Sequence, residues 1–114
     1  MKKINSLTWF FLILLSSCNK DEKSLFIEDF TVSKEIVLEP YKNYPYSMMN
    51  VWIKGYSNDT ILIKLHSQDS EPILRLSGDI DERWYTDYYD EGNRIIIFEP
   101  YKATNGKIEI KTKL

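Results

Sequence analysis

From residue 26 onward, apolar and polar residues alternate in short runs that recur roughly every ten positions, each rich in β-branched and aromatic side chains. In the run 60–66, Ile61, Ile63 and Leu65 share one face, while Thr60, Leu62, Lys64 and His66 take the other. In the run 107–113, Ile108, Ile110 and Thr112 oppose Lys107, Glu109, Lys111 and Lys113. A period of two is that of a strand with one buried side, and the charged side discourages edge pairing. The pattern predicts strands over 26–32, 34–39, 47–56, 60–66, 73–77, 83–89, 94–99 and 107–113. Between them, Tyr56-Ser57-Asn58-Asp59-Thr60 and Asp90-Glu91-Gly92-Asn93 supply residues that tolerate turn geometry, and both read as hairpins.

Seven or eight antiparallel strands in about ninety residues pack most economically as two sheets face to face. The expected fold is all-β, a small antiparallel β-sandwich that is immunoglobulin-like or similar. The cysteine pair and tryptophan spacing of antibody domains are absent, so this likeness is one of architecture alone. One internal echo stands out: Ile36-Val37-Leu38-Glu39-Pro40-Tyr41-Lys42 against Ile96-Ile97-Phe98-Glu99-Pro100-Tyr101-Lys102. Each is an apolar strand halted by a proline that cannot donate to the ladder. A shared strand stop accounts for the echo, and a duplication or equivalent positions in two sheets would do so as well.

The first eighteen residues follow a different plan. Lys2 and Lys3 precede an apolar run from Leu7 to Leu15 that leads into Ser16 and Ser17, the layout of an export signal. Nine residues in a helix extend only about 13 Å, against the roughly 20 residues that a bilayer core requires. Leu15-Ser16-Ser17-Cys18 resembles the lipobox of bacterial lipoproteins. That resemblance implies a diacylglyceryl group on the Cys18 thiol, cleavage before it, and acylation of the new amine. Two or three acyl chains on one residue anchor a protein firmly. The following Asn19-Lys20-Asp21-Glu22-Lys23 resembles the export tether of Bacteroidetes lipoproteins, and a solvated linker would have the same composition. The resulting division is a signal peptide over 1–17, lipidated Cys18 with a charged tether over 18–24, and one domain over 25–114. The protein is expected at a bacterial outer membrane, on either its surface or its periplasmic side.

Charge and cysteine content narrow the chemistry. Without Lys2 and Lys3 the count falls from 15 to 13 basic residues against 17 acidic ones, a formal charge near −4. That is no footprint for nucleic acid. Lipidation would consume the one cysteine, leaving none for a disulfide, a metal cage or a nucleophile.

His66, the single histidine, falls on the polar side of its strand and reads as a surface residue. Asp79, Asp81 and Glu82, with Asp87, Asp90 and Glu91, form the densest acidic stretch. Asp79 and Asp81 alternate as calcium ligands can, but the glycine and terminal glutamate of an EF-hand are missing, so solvated loop charge is favoured. A hydrolase using carboxylates from 79–91 is the weakest functional reading, because such chemistry wants a deep cleft. The chain is expected to be non-catalytic, with no cofactor and no metal.

Aromatic residues carry the stronger signal. In Trp84-Tyr85-Thr86-Asp87-Tyr88-Tyr89, alternation puts Trp84, Thr86 and Tyr88 on one side and Tyr85, Asp87 and Tyr89 on the other. The second row, two rings around a carboxylate, suits contact with a sugar or a protein; a register slip of one residue would bury it instead. Tyr41, Tyr44 and Tyr46 form a second group in a loop, fitted either to binding or to closing the end of the sandwich. Asp59-Thr60-Ile61 also resembles the O-glycosylation motif of exported Bacteroidetes proteins, although turn chemistry explains these residues. The favoured function is an anchored binding module that recognises glycan or protein. The alternative is an envelope immunity or inhibitor protein that binds a toxin or protease.

Overall fold

A computed structural model of the chain describes residues 19–89 and 92–114. The signal segment, Cys18, Asp90 and Glu91 lie outside the described residues. Six strands form one antiparallel sheet: β1 (Glu22–Ile27), β2 (Lys34–Leu38), β3 (Met48–Leu65), β4 (Pro72–Asp87), β5 (Arg94–Glu99) and β6 (Gly106–Lys113). No helix occurs among the described residues, so the all-β antiparallel class holds. The strand count falls to six because predicted neighbours fuse: 47–56 with 60–66 into β3, and 73–77 with 83–89 into β4.

β3 organises the molecule. One of its edges pairs with β4 along nearly its whole length, from Met48 opposite Asp87 to Lys64 opposite Pro72. Its other edge changes partner, with residues 50–57 taking β6 and residues 62–65 taking β5. β6 continues to β1, and β5 to β2. The single sheet thus has two walls, β1-β6-β3-β4 and β2-β5-β3-β4, hinged where the long β3–β4 ribbon bends. The walls nearly close on each other, since β1 approaches β2 and the Glu39 N–H donates to the Lys20 carbonyl at 2.8 Å.

The bend explains why a hairpin at 56–60 is not found. Its residues are turn formers, but here they make a bulge inside a continuing strand, and the register with β4 shifts between Ser57 and Ile61. Ser57 Oγ donates to the Asp59 carbonyl at 2.9 Å, and the Thr60 N–H donates to Asp59 Oδ1 at 2.7 Å. Asn58 clamps the bulge to the β5–β6 connection. Its Oδ1 accepts the N–H groups of Thr104 and Asn105 at 2.9 and 3.1 Å, and its Nδ2 donates to Thr104 Oγ1 at 2.8 Å. Asn58→Ala removes all three bonds and is expected to lower stability by about 1–2 kcal/mol. Asn58→Asp, which keeps the acceptor, should lose less; urea denaturation midpoints compare the two.

The second predicted hairpin, 90–93, is also corrected. Asp90 and Glu91 lie outside the described residues, and β4 and β5, which such a hairpin would pair, lie on opposite edges of β3 and do not pair. The tight hairpin is instead at 66–71, between β3 and β4. β1 begins at Glu22, inside the segment read as a tether, and stops at Ile27 rather than running to residue 32. Downstream, Asp29 Oδ1 accepts the N–H of Thr31 at 2.9 Å and its hydroxyl, which turns the chain. Upstream, Lys23, Leu25 and Ile27 match Thr112, Ile110 and Ile108 of β6. The echoed segments are neighbours, with Ile36 opposite Ile96 in an antiparallel pair, so their prolines stop strands at opposite ends.

The core lies between the walls. Ile27, Met49, Val51, Ile53, Ile108 and Ile110 from one wall meet Ile36, Leu38, Ile61, Ile63, Ile96 and Phe98 from the other. Each buried aliphatic or aromatic side chain contributes about 1.5–3 kcal/mol. Lys64 was expected on the solvent side but is buried, and its ammonium donates to Glu99 Oε1 at 2.7 Å and to the Gln68 carbonyl at 2.8 Å. On β4 the pattern is interrupted: Glu82 occupies the core-facing row between Ile80 and Trp84, yet it is exposed. Among the described residues β4 pairs with β3 alone, and its outer edge carries no strand.

Candidate functional site

The β3–β4 register decides which aromatic row is exposed. Val51 faces Trp84 and Met49 faces Thr86, so this parity points into the core, and Tyr88 continues it fully buried. Tyr85 and Asp87 point outward, and Tyr89 lies beyond the end of β4; Tyr85 is 56% exposed and Tyr89 66%. Tyr85 does not stand alone. It lies across from Asn50, and the next outward pair is Trp52 with Arg83. Arg83 donates through Nε and Nη2 to Asn50 Oδ1 at 3.1 and 2.6 Å. Its guanidinium lies 4.9 Å from the Tyr85 ring centre and 5.9 Å from that of Trp52. A cation held between two rings keeps both at a defined angle to solvent.

Beyond this trio the outward face of the first wall is laced with charge. Lys54 stands between Asp81 of β4 and Glu109 of β6, and Tyr56 between Asp79 and Lys107. Phe26 on β1 is 74% exposed beside Glu109. Two open depressions lie here. One, about 390 Å³, is lined by Trp52 and Lys111 among others; the second, about 370 Å³, lies around Phe26 and Lys54. Among the described residues, the acidic side chains of 79–87 do not converge on a cleft, since Asp79 and Asp81 face outward and Glu82 the other way, and Asp90 and Glu91 lie outside the described residues. Among the described residues, no three of His, Cys, Asp or Glu are grouped to hold a metal ion. His66 is an exposed residue of the β3–β4 turn with a φ of 75°.

The tyrosine loop divides. Tyr41 and Tyr44 are exposed, whereas Tyr46 is only 8% exposed and is withdrawn from the set of contact candidates. Its ring packs edge-on to Tyr88 at 5.6 Å and lies 4.7 Å from Tyr44. Its hydroxyl donates to Asp21 Oδ2 at 2.9 Å and accepts the Tyr41 N–H at 2.8 Å. The cause is the near-closure of the walls, which needs a plug at this end. Burial, reinforced by the bond to Asp21, raises the Tyr46 hydroxyl above its ordinary pKa of 10.0, against the opposing pull of the Tyr41 N–H. The unfolded chain then gives up this proton before the folded one does, so stability falls as pH rises above 10. Melting curves over that range should show a shallower fall for Tyr46→Phe than for the natural chain.

Asn50, Trp52, Arg83, Phe26 and Tyr56 were not singled out from sequence. The polar and aromatic alternation of Asn50, Trp52, Lys54 and Tyr56 opposite Met49, Val51 and Ile53 is the signal that marks those on β3.

No protein-family model matches the chain, and no curated protein matches it in sequence. Among the solved structures that share part of its path are these three. PliG of Aeromonas hydrophila, a periplasmic lysozyme inhibitor of g-type lysozyme, is 15% identical, with 81% of this chain and 82% of that chain covered and a TM-score of 0.49. PirA is 14% identical over 81% of this chain and 93% of its own, with a TM-score of 0.43. The NLP-core of Drosophila is 12% identical over 80% of this chain and 93% of its own, with a TM-score of 0.39.

Proposed function

We propose that this chain is a lipoprotein anchored through Cys18 to a bacterial outer membrane, and that its domain is a non-catalytic module that binds a protein partner. The observation that carries the binding half is the Trp52–Arg83–Tyr85 stack on an open face. It combines aromatic rings with an arginine, the side chains that dominate the energetics of protein interfaces. The face is open and carries charge of both signs, which suits a folded partner with complementary charge rather than a small substrate held in a cleft. Asp87 extends it toward the end of β4.

Two experiments test the two halves. Cys18→Ser should release the protein from the membrane fraction or block its processing, and an unmodified Cys18 in the native host would refute the anchor. A photo-crosslinking residue at Tyr85 should capture one adduct of discrete mass in living cells, lost when Arg83→Glu is added. The same residue at Arg75, exposed on the other half of β4, should capture none. Equal capture at both positions would count against this face.

A further inference from the structure

The chain between the lipidation position and the folded domain is almost entirely engaged in backbone pairing. The Lys20 carbonyl accepts the Glu39 N–H at 2.8 Å, the Asp21 carbonyl accepts the Leu114 N–H at 2.9 Å, and β1 begins at Glu22. Only Asn19 separates Cys18 from the first of these bonded residues. Two Cα steps reach about 7 Å at most, so an anchor on Cys18 cannot hold the domain away from the bilayer.

The same hydrogen bonds decide which surface is brought down. Asp21 accepts from the Tyr46 hydroxyl, which accepts the Tyr41 N–H, so the tyrosine loop and the base of the anchor form one bonded unit. The Lys20 ammonium lies 4.9 Å from the Tyr41 ring centre. Tyr41 is 39% exposed and Tyr44 56%, and Tyr89 follows the Tyr88 that packs on Tyr46. Tyrosine favours the level of lipid headgroups, where its ring meets apolar groups and its hydroxyl meets water.

We infer that the pole formed by Tyr41, Tyr44 and Tyr89, with Lys20 and Lys42, rests on the headgroup layer of the bilayer that holds the Cys18 acyl chains. This rests on the lipidation reading above and adds an orientation to it. At this pole Lys20, Lys42 and Lys113 are balanced by Asp21, Glu22 and Glu39, so contact comes from the rings rather than from charge and should persist at high salt. The strands of the first wall lead away from the pole: β6 runs from Gly106 at the far end to Lys113 beside Glu22. Tyr85 is level with Lys113 across Asn50, at the rim of the contact, and the Trp52–Arg83 pair stands one outward step further from the pole, so the stack stays open to a partner from the side.

The test uses the full chain, matured in a host that lipidates Cys18 and reconstituted in phosphatidylethanolamine–phosphatidylglycerol vesicles. Lipidation blocks the natural thiol, so one introduced cysteine takes an environment-sensitive dye. Lys42→Cys is the near probe, Asn93→Cys a second near probe should the first disturb folding, and Lys107→Cys the far probe. Headgroup-labelled nitroxide lipids should quench the near dyes several-fold more than the far dye, in low and high salt alike. Equal quenching at near and far positions, in protein that floats with the vesicles, overturns the orientation while leaving the anchor intact. Protein that fails to float overturns the anchor, and the orientation with it.

Discussion

Gly55→Ala is expected to destabilise the fold by about 3 kcal/mol or more, while Gly78→Ala in the neighbouring strand should cost only about 1 kcal/mol. Both glycines have positive φ, +138° at Gly55 and +72° at Gly78, so both substitutions strain the backbone. They differ in what the new methyl group meets. At Gly55 it would fall 1.9 Å from the Lys107 carbonyl oxygen of β6, an impossible approach, whereas at Gly78 nothing lies within 4 Å. Gly106 makes the reciprocal approach, its added Cβ falling 2.1 Å from the Tyr56 carbonyl oxygen. β3 and β6 therefore run together only because two glycines leave room, and that contact sets Lys54 and Tyr56 beside Glu109 and Lys107 on the proposed face. Urea denaturation of the two variants checks the contrast. Similar losses in both would show that φ strain alone governs these positions.

A second contrast lies at the end of β4. Tyr88→Ala should cost about 3–5 kcal/mol, because it empties a fully buried site. It also removes the edge contact with Tyr46, the bond from the Tyr88 hydroxyl to the Gly92 carbonyl at 2.6 Å, and the ring beneath the Arg94 guanidinium 5.4 Å away. Tyr85→Ala and Tyr89→Ala, on the opposite parity, should lose no more than about 1 kcal/mol, at Tyr85 mainly from the contact with Arg83. If the face binds as proposed, Tyr85→Ala should nonetheless weaken partner binding by about 1–3 kcal/mol. Thermal melts of the three variants report the buried and exposed parities directly. A large loss for Tyr85→Ala would make its ring part of the packing and remove it from the interface.

Alternation made much of this visible in advance. The split of Trp84, Thr86 and Tyr88 from Tyr85, Asp87 and Tyr89 follows from a period of two, and the structure keeps it. The connections were harder to read because turn chemistry is local while pairing is not. Ser57 and Asp59 bond to each other as they would in a hairpin, but the Asn58 side chain is engaged forty-six residues away, at Thr104. Lys64 looked solvated because its partner Glu99 lies thirty-five residues away and belongs to a different predicted strand. Arg83 is hard to read for the same reason: it is ordinary in its own strand and meets Trp52 only through register. Local pattern gives the faces of strands, whereas the site is made by which faces lie side by side.

The open edge of β4 has a meaning that depends on where the molecule sits. Proteins tethered to one membrane share a plane, so two copies meet at an effective concentration far above that of free diffusion. A sixteen-residue strand with an edge unpaired among the described residues would be a template for sheet-to-sheet growth in such a layer. Glu82 answers this hazard. A carboxylate in the core-facing row must keep its hydration, and a second strand laid along β4 would enclose it between Ile80 and Trp84 and strip that water away. Asp79, Asp81 and Arg83 load the other row, so neither face of an extended sheet would be free of charge. If the domain is anchored as proposed, the residue that breaks the alternation of β4 would keep a crowded, two-dimensional population of these domains from pairing edge to edge.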